Sequence, residues 1–245
     1  MKFTFHRFEK IDSTSTAAAR LAEAGAAEGT VVVASEQTAG RGRRGKHWSS
    51  PPGAGLYLSI ILRPAKPYSE LWQLAFVAAL AAADAVARIT HLPARIKWPN
   101  DIHLNGRKVC GILIESKSST SASERPVIIG IGINVNTDSF PPDLADKATS
   151  LLLETDTHYD ISAVEDALLN ALDEVYAQYL ERGFPPILES WRKLDCTKGR
   201  QVSVITTEGT KTGVAEGVDS SGDLILEHDD GSRCTLSSGE VILNN

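Results

Sequence analysis

The sequence predicts an α/β fold of the α+β kind: a mixed sheet with flanking helices over residues 1–195, followed by a small β-barrel-like domain over residues 196–245. Three observations carry this reading. Apolar runs of strand length alternate with two long helix-like segments in the first part. Asn105-Gly106 marks a hairpin inside a meander. Beyond about Cys196 the chain holds only short strand-like runs separated by turn residues. With 245 residues, 42% of them hydrophobic, there is material for a substantial core in one large or two modest domains.

Taken in order, Ser13 to Ala24 opens on Ser and Thr residues able to cap a helix and runs through alanines to a glycine stop at Gly25. Thr30 to Ser35 reads as a buried strand. After a loop rich in Gly and Arg, Leu56 to Leu62 is a second strand, and Ser69 to Ile89 is a long, largely apolar helix expected to pack on a sheet. Asn105-Gly106 suits a type I′ turn, which needs positive φ at both central residues. The returning strand spans Lys108 to Glu115, a Ser-rich connection covers Lys117 to Glu124, and Val127 to Asn136 is the next strand. Ser162 with Glu165 reads as a capping box opening a helix that closes at Gly183. In the last part, Gln201 to Thr206, Thr212 to Val218, Asp223 to His228 and Ser232 to Leu236 read as strands, with Asp230-Gly231 as a turn. No internal repeat is visible.

The net charge of −6 argues against a surface that coats nucleic acid, because that binding relies on many Lys and Arg neutralising phosphates. Cys110, Cys196 and Cys234 are far apart, with no CxxC pair and no clustered His, so neither a disulfide framework nor a zinc site is expected, which suits a reducing cytoplasm. The N-terminus has no apolar leader, and the longest apolar run, Leu74 to Ala83, is too short to span a bilayer. No membrane association is expected.

Gly40-Arg41-Gly42-Arg43-Arg44-Gly45 matches G-x-G-x-x-G, but the dinucleotide fingerprint needs a helix to begin there and an acidic residue about twenty positions on. Here Trp48-Ser49-Ser50-Pro51-Pro52-Gly53 continues as loop. What remains is a cluster of cations, Arg41, Arg43, Arg44 and Lys46, joined by glycines that let backbone amides approach a ligand. That is chemistry for a polyphosphate, with Trp48 following as a face on which a base can stack. The competing reading is a solvated basic loop. Gly130-Ile131-Gly132-Ile133-Asn134 lacks the third glycine and lies within a strand, so it carries no dinucleotide weight.

The successive segments Gly40 to Pro51, Lys97-Trp98-Pro99-Asn100-Asp101, Lys108 with Gly111-Ile112-Leu113, and Gly130 to Asn134 resemble, in order and spacing, the signatures of biotin–protein ligases. Gly217-Val218-Asp219 and Gly239-Glu240-Val241 are similar to that family's SH3-like C-terminal domain, so the resemblance covers nearly the whole chain. Two departures stand out: Lys46 where the family more often has arginine, and Ser15 where asparagine is common. The form resembled is the one without a DNA-binding domain, since the Ser13 motif begins too close to the N-terminus for a helix-turn-helix to precede it.

The resemblance implies ATP-dependent ligation: biotin is activated as biotinyl-5′-AMP and passed to a lysine of a biotin carboxyl carrier protein. It implies a biotin site of Ser13, Thr14, Ser15, Gln37, Arg41, Gly42, Arg43, Lys108 and Gly111. ATP would be met by Arg41, Arg43, Arg44, Trp48, Lys97, Asn100, Lys108 and Asn134, with Mg²⁺ on the polyphosphate and no dedicated metal site. Arg43, Lys108 and Asp101 would carry the catalysis, by positioning and charge stabilisation. Alternatives stand beside several of these: helix capping for Ser13 to Ser15, edge-strand protection for Lys108, core filling for Trp48, turn formation for Asp101. No nucleic acid or membrane partner is implied, and a homodimer is left open. The nearest rival is a lipoate–protein ligase, whose dithiolane ligand would leave Gln37 and its neighbours unpaired.

Overall fold

The computed structural model describes residues 1–116 and 125–244. The Ser-rich connection expected over Lys117 to Glu124 lies outside the described residues. In chain order the first part consists of β1 (Thr4–Ile11), α1 (Thr14–Glu23), β2 (Thr30–Gln37), β3 (Gly55–Leu62), α2 (Leu74–Thr90), β4 (Arg95–Lys97), β5 (Asp101–Leu104), β6 (Arg107–Ser116), β7 (Val127–Asn134), α3 (Leu151–Thr155), α4 (Ile161–Arg182) and α5 (Phe184–Leu194). Its seven strands form one sheet in the order β1-β2-β3-β7-β6-β5-β4. The β1–β2 pair is parallel, joined across α1, and the other pairs are antiparallel, so the sheet is mixed as expected.

Strand alternation gives the two faces of this sheet different jobs. One carries Leu56, Leu58, Ile60, Leu62, Ile129, Ile131 and Ile133, all buried against α2, α4 and α5 in the main core. On the other, α1 covers only Val32, Ile61 and Ile128. Beyond α1 that face thins to Ser59, Gly130, Gly132 and Gly111, with Ser59 opposite Gly130 and Gly111 opposite Gly132. The sheet therefore has a dry side and a shallow, unfilled side.

The helix expected over Ser69 to Ile89 is a 3₁₀ turn at Tyr68–Gln73 followed by α2. Tyr68–Thr90 is long and apolar enough to cross a membrane, yet 67% of its apolar window is buried inside the protein. The Asn105-Gly106 turn has φ of 47° and 81°, the positive pair that a type I′ turn requires. Strand β7 stops two residues early because Val135 and Asn136 both donate their N–H to Ala54 O and leave the ladder. The capping box is a correction. Asp160 is the N-cap of α4 and accepts from Ser162 N at 2.9 Å, which puts Ser162 and Glu165 inside the helix. Glu165 is buried and receives both guanidinium nitrogens of Arg7, at 2.8 and 2.6 Å.

The second part is a five-stranded antiparallel sheet of β8 (Gln201–Thr206), β9 (Gly209–Val218), β10 (Leu224–Glu227), β11 (Arg233–Leu236) and β12 (Glu240–Leu243), ordered β11-β10-β9-β8-β12. It docks on the first through Trp98, which is 2% exposed. Trp98 N donates to Thr197 Oγ1 and its indole N–H donates to Gly222 O, both at 3.0 Å. Gly222 must be glycine: its φ is +74°, and a Cβ there would lie 2.7 Å from both Trp72 and Phe76.

Candidate active site

The floor of the site is built from absent side chains. A Cβ on Gly132 would sit 2.5 Å from the Trp48 indole, one on Gly111 would sit 2.9 Å from it, and one on Gly130 would sit 2.6 Å from Ser15 Oγ. The glycines of Gly130-Ile131-Gly132 let an aromatic ring and a hydroxyl lie directly on the sheet. Gly40 is constrained similarly, its Cβ position being 2.3 Å from Trp48 O.

A chain of polar groups borders this floor. Gln37 Oε1 accepts from Thr14 N at 2.8 Å and from Thr14 Oγ1 at 3.1 Å, and Gln37 Nε2 donates to Ser50 Oγ at 2.8 Å. Ser59 Oγ donates to Thr14 Oγ1 at 2.8 Å and lies 3.1 Å from Ser15 Oγ. Ser13 takes the N-cap backbone position of α1 without a side-chain cap bond, and its Oγ is buried with no partner among the described residues. The capping alternative therefore fails for the Ser13 side chain. Trp48 Nε1 is likewise buried and unpartnered. Buried polar atoms are otherwise satisfied, so these two orphaned groups are open to a polar ligand that completes their bonding. Ser59 and Ser50 were missed from the sequence: Ser59 is a lone serine within an apolar strand, Ser50 is the second of two serines in a loop, and nothing in the pattern tells that they face Thr14 and Gln37.

The arginine loop folds back on itself as a tight hairpin. Gly42 N donates to Lys46 O, Trp48 N donates to Gly40 O, and the tip is a single 3₁₀ turn, Arg43–Gly45, with Arg44 at φ 56°. No helix begins there, which removes the dinucleotide reading. The loop's four cations separate into two pairs. Arg41 Nη2 donates to Glu115 Oε1 at 2.7 Å and Arg43 Nη1 to Asn100 Oδ1 at 2.8 Å, on the first sheet. Arg44 donates to Ile205 O and Lys46 to Glu240, on the second. Asn100 is fixed in turn by donating to Ile112 O. Burial pushes the Arg43 guanidinium below its ordinary pKa, with Asp101 pulling the other way.

Lys108 Nζ pairs with Asp101 Oδ1 at 2.7 Å and lies 5.4 Å from the centre of the Trp48 ring, so Lys108 lies over the floor. The edge-strand alternative for Lys108 does not apply, since β6 lies inside the sheet between β5 and β7. Lys97, opposite Asp101 on β4, is pushed below its usual pKa by burial, with Asp101 opposing the shift. Asn134 is buried and donates from Nδ2 to Thr149 O at 3.0 Å, and its Oδ1 accepts no hydrogen bond among the described residues. The structure thus brings Ser13, Thr14, Ser15 and Gln37 to one side of the glycine floor and Arg43, Asn100, Asp101 and Lys108 to the other. An open groove of about 770 Å³ begins at Arg43 and Asn100 and runs between the two sheets past Trp98, Trp72 and Gly222.

Residues 7–134 match the Biotin/lipoate A/B protein ligase family, and residues 197–244 match the Biotin protein ligase C terminal domain. The biotin–[acetyl-CoA-carboxylase] ligase of Paracoccus denitrificans is 38% identical over 95% of this chain and 97% of its own length. This chain belongs to the biotin protein ligase family. The bifunctional ligase/repressor BirA of Bacillus spizizenii is 41% identical, over 93% of this chain and 70% of its own. Among solved structures, the biotin protein ligase of Aquifex aeolicus in complex with biotin and ATP superposes with a TM-score of 0.84 at 32% identity, covering 98% of each chain. In this biotin protein ligase a polar edge and a cationic edge border one glycine floor.

Proposed function

We infer that the protein is an ATP-dependent biotin–protein ligase acting on a biotin carboxyl carrier protein, in preference to a lipoate ligase. The observation that carries this is the Ser13–Thr14–Gln37–Ser59 cluster, with its unpartnered Ser13 hydroxyl, facing Lys108 and Arg43 across the glycine floor. Biotin's ureido ring offers two N–H donors and one carbonyl acceptor, and a border of hydroxyls and an amide can meet all three. A dithiolane would leave the Ser13 hydroxyl, which has no protein partner among the described residues, buried and unpaired.

In the first step a biotin carboxylate oxygen attacks the α-phosphorus of ATP and pyrophosphate leaves. Arg41, Arg43, Lys97 and Lys108 supply the opposing charge, with arginine's planar fork suited to phosphate oxygens and Lys108 acting as a point charge. Asn100 holds Arg43, and Trp48 and Asn134 serve the adenine. Arg44 shares a loop with this group but is turned to the second sheet, so its part is to hold the loop. Mg²⁺, when bound with the nucleotide, would neutralise charge on its polyphosphate. In the second step the acceptor amine attacks the acyl carbon and AMP leaves. Asp101 receives or relays the proton that the ammonium must lose first. Lys108 turning from Asp101 to the phosphate frees that carboxylate for the incoming lysine.

The same reading gives residues 1–195 both substrates and residues 196–245 a role in ATP use or carrier transfer, in a cytoplasmic protein that contacts neither membrane nor nucleic acid. A homodimer is a question for sedimentation. Biotin-dependent exchange of labelled pyrophosphate into ATP tests the first step. Exchange with lipoate and none with biotin would favour the runner-up.

A further inference from the structure

His103 stands beside the charged cluster and takes no part in the chemistry above. It is 5% exposed, lies two residues along β5 from Asp101 on the same face, and is opposite Arg95 on β4 and Lys108 on β6. Its Nδ1 is 3.0 Å from Gly106 O, the carbonyl of the hairpin turn. A carbonyl can only accept, so Nδ1 carries the proton and Nε2 of the neutral ring is a bare lone pair. Burial and the nearby Lys97 keep the ring neutral, holding its pKa down at about 4. That lone pair is buried without a donor among the described residues, and leaving a buried acceptor unmet is costly.

Lys97 has the complementary defect. It faces Asp101 in the register while its neighbour Arg95, two residues back, faces His103, so Lys97 and His103 are diagonal neighbours on one face. Asp101 is held by Lys108 at 2.7 Å. Among the described residues the Lys97 ammonium makes no hydrogen bond or ion pair of its own. A half-buried ammonium with three free donors thus sits diagonal to a buried acceptor with none.

We propose that His103 is a positioning residue for Lys97, its Nε2 lone pair accepting from the ammonium when phosphate binds and holding that charge against the polyphosphate. An imidazole suits the task better than a carboxylate, because a neutral acceptor fixes the lysine without cancelling its charge. One of the three ammonium donors is then spent on Nε2 and two remain for phosphate oxygens. The proposal rests on the reading that ATP binds at this cluster.

Its test uses the full chain in three forms: the parent, His103→Phe, which keeps a ring but no acceptor, and His103→Gln, which restores an acceptor. In the pyrophosphate exchange assay, His103→Phe is expected to raise the KM for ATP about ten- to a hundred-fold, as loss of a hydrogen bond to a charged group implies. Biotin affinity stays within about two-fold of the parent, and His103→Gln recovers most of the loss. Equal losses in the two variants, or biotin affinity falling as far as ATP affinity, would show a packing role and overturn the proposal. A second measurement stands apart from catalysis: the ¹⁵N resonance of His103 Nε2, followed as inorganic tripolyphosphate is added. It is expected to move toward the hydrogen-bonded range in the parent and to stay still in Lys97→Met. No movement in the parent, or the same movement in both, overturns the proposal even if the exchange assay succeeds. Movement confined to the parent upholds it even if the ligase reading fails.

Discussion

Asp101 and Lys108 meet diagonally across neighbouring strands with 2.7 Å between carboxylate and ammonium, so the proposed proton acceptor and the proposed phosphate-binding cation are each other's partner. Each is released only when the other finds work. Asp101→Asn keeps the turn and a hydrogen-bond acceptor but removes the charge. It should slow transfer to the carrier more than adenylate formation, by about ten-fold or more in the second half-reaction, within the range for lost acid–base assistance. Single-turnover measurement of each half-reaction checks this, and equal losses in both would point to structural damage.

Arg43 and Asn100 predict a defect in retention. Arg43 donates to Asn100, which donates to Ile112 O, so the arginine is held at the proposed phosphate side by a fixed relay. Arg43→Gly leaves Thr14, Gln37 and Ser59 untouched. Biotin affinity should change little, while the adenylate dissociates about ten- to a hundred-fold faster, the range for one lost charge-assisted hydrogen bond. Stopped-flow release of the adenylate is the measurement; a parental off-rate would sink the assignment.

Gly132→Ala should be felt by Trp48, because the new methyl would lie 2.5 Å from the indole. Overpacking of this kind costs about 1–3 kcal/mol. Urea titration should show that loss together with an altered indole emission and weakened ATP binding. Gly106→Ala, at φ +81° with nothing within 4 Å of its Cβ, is the comparison: it strains the turn and leaves the emission unchanged.

His103 also gives the fold a pH dependence. Its folded pKa, about 4 against 6.5, is depressed mainly by burial, so between these values the unfolded chain binds the extra proton. The stability is complete above about pH 6.5 and is lost progressively as pH falls toward 4, amounting to roughly 2 kcal/mol at pH 5. His103→Gln should flatten that part of the pH–stability profile. An unchanged slope between pH 7 and 5 would place the acid sensitivity elsewhere.

Much of this was legible in the sequence because local chemistry dictated it. Asn105-Gly106 could only be a tight turn, and the apolar run from Leu74 could only be a core helix. The unread elements lacked such signals. Strand β1 is exposed at nearly every position, so its pairing with β2 rests on main-chain bonds that leave no hydrophobic pattern. Helix α5 was hidden by Pro185 and Pro186, which read as breakers but fall in the first turn, where a missing N–H costs nothing. Among site residues, the motif positions were found because charge and glycine cluster along the chain. Ser59 and His103 were not, because what makes them matter is what they face across the sheet.

The glycine floor carries a consequence for how such a site can change over generations. Any point mutation at Gly111, Gly130 or Gly132 adds atoms, and each added Cβ would fall within 2.9 Å of a neighbour. Drift at these codons can therefore only close the site, never widen it. New ligand preferences must instead be won at the rim, from Ser13 to Ser15, Gln37 and Trp48, where a side chain can shrink, turn or trade one polar atom for another.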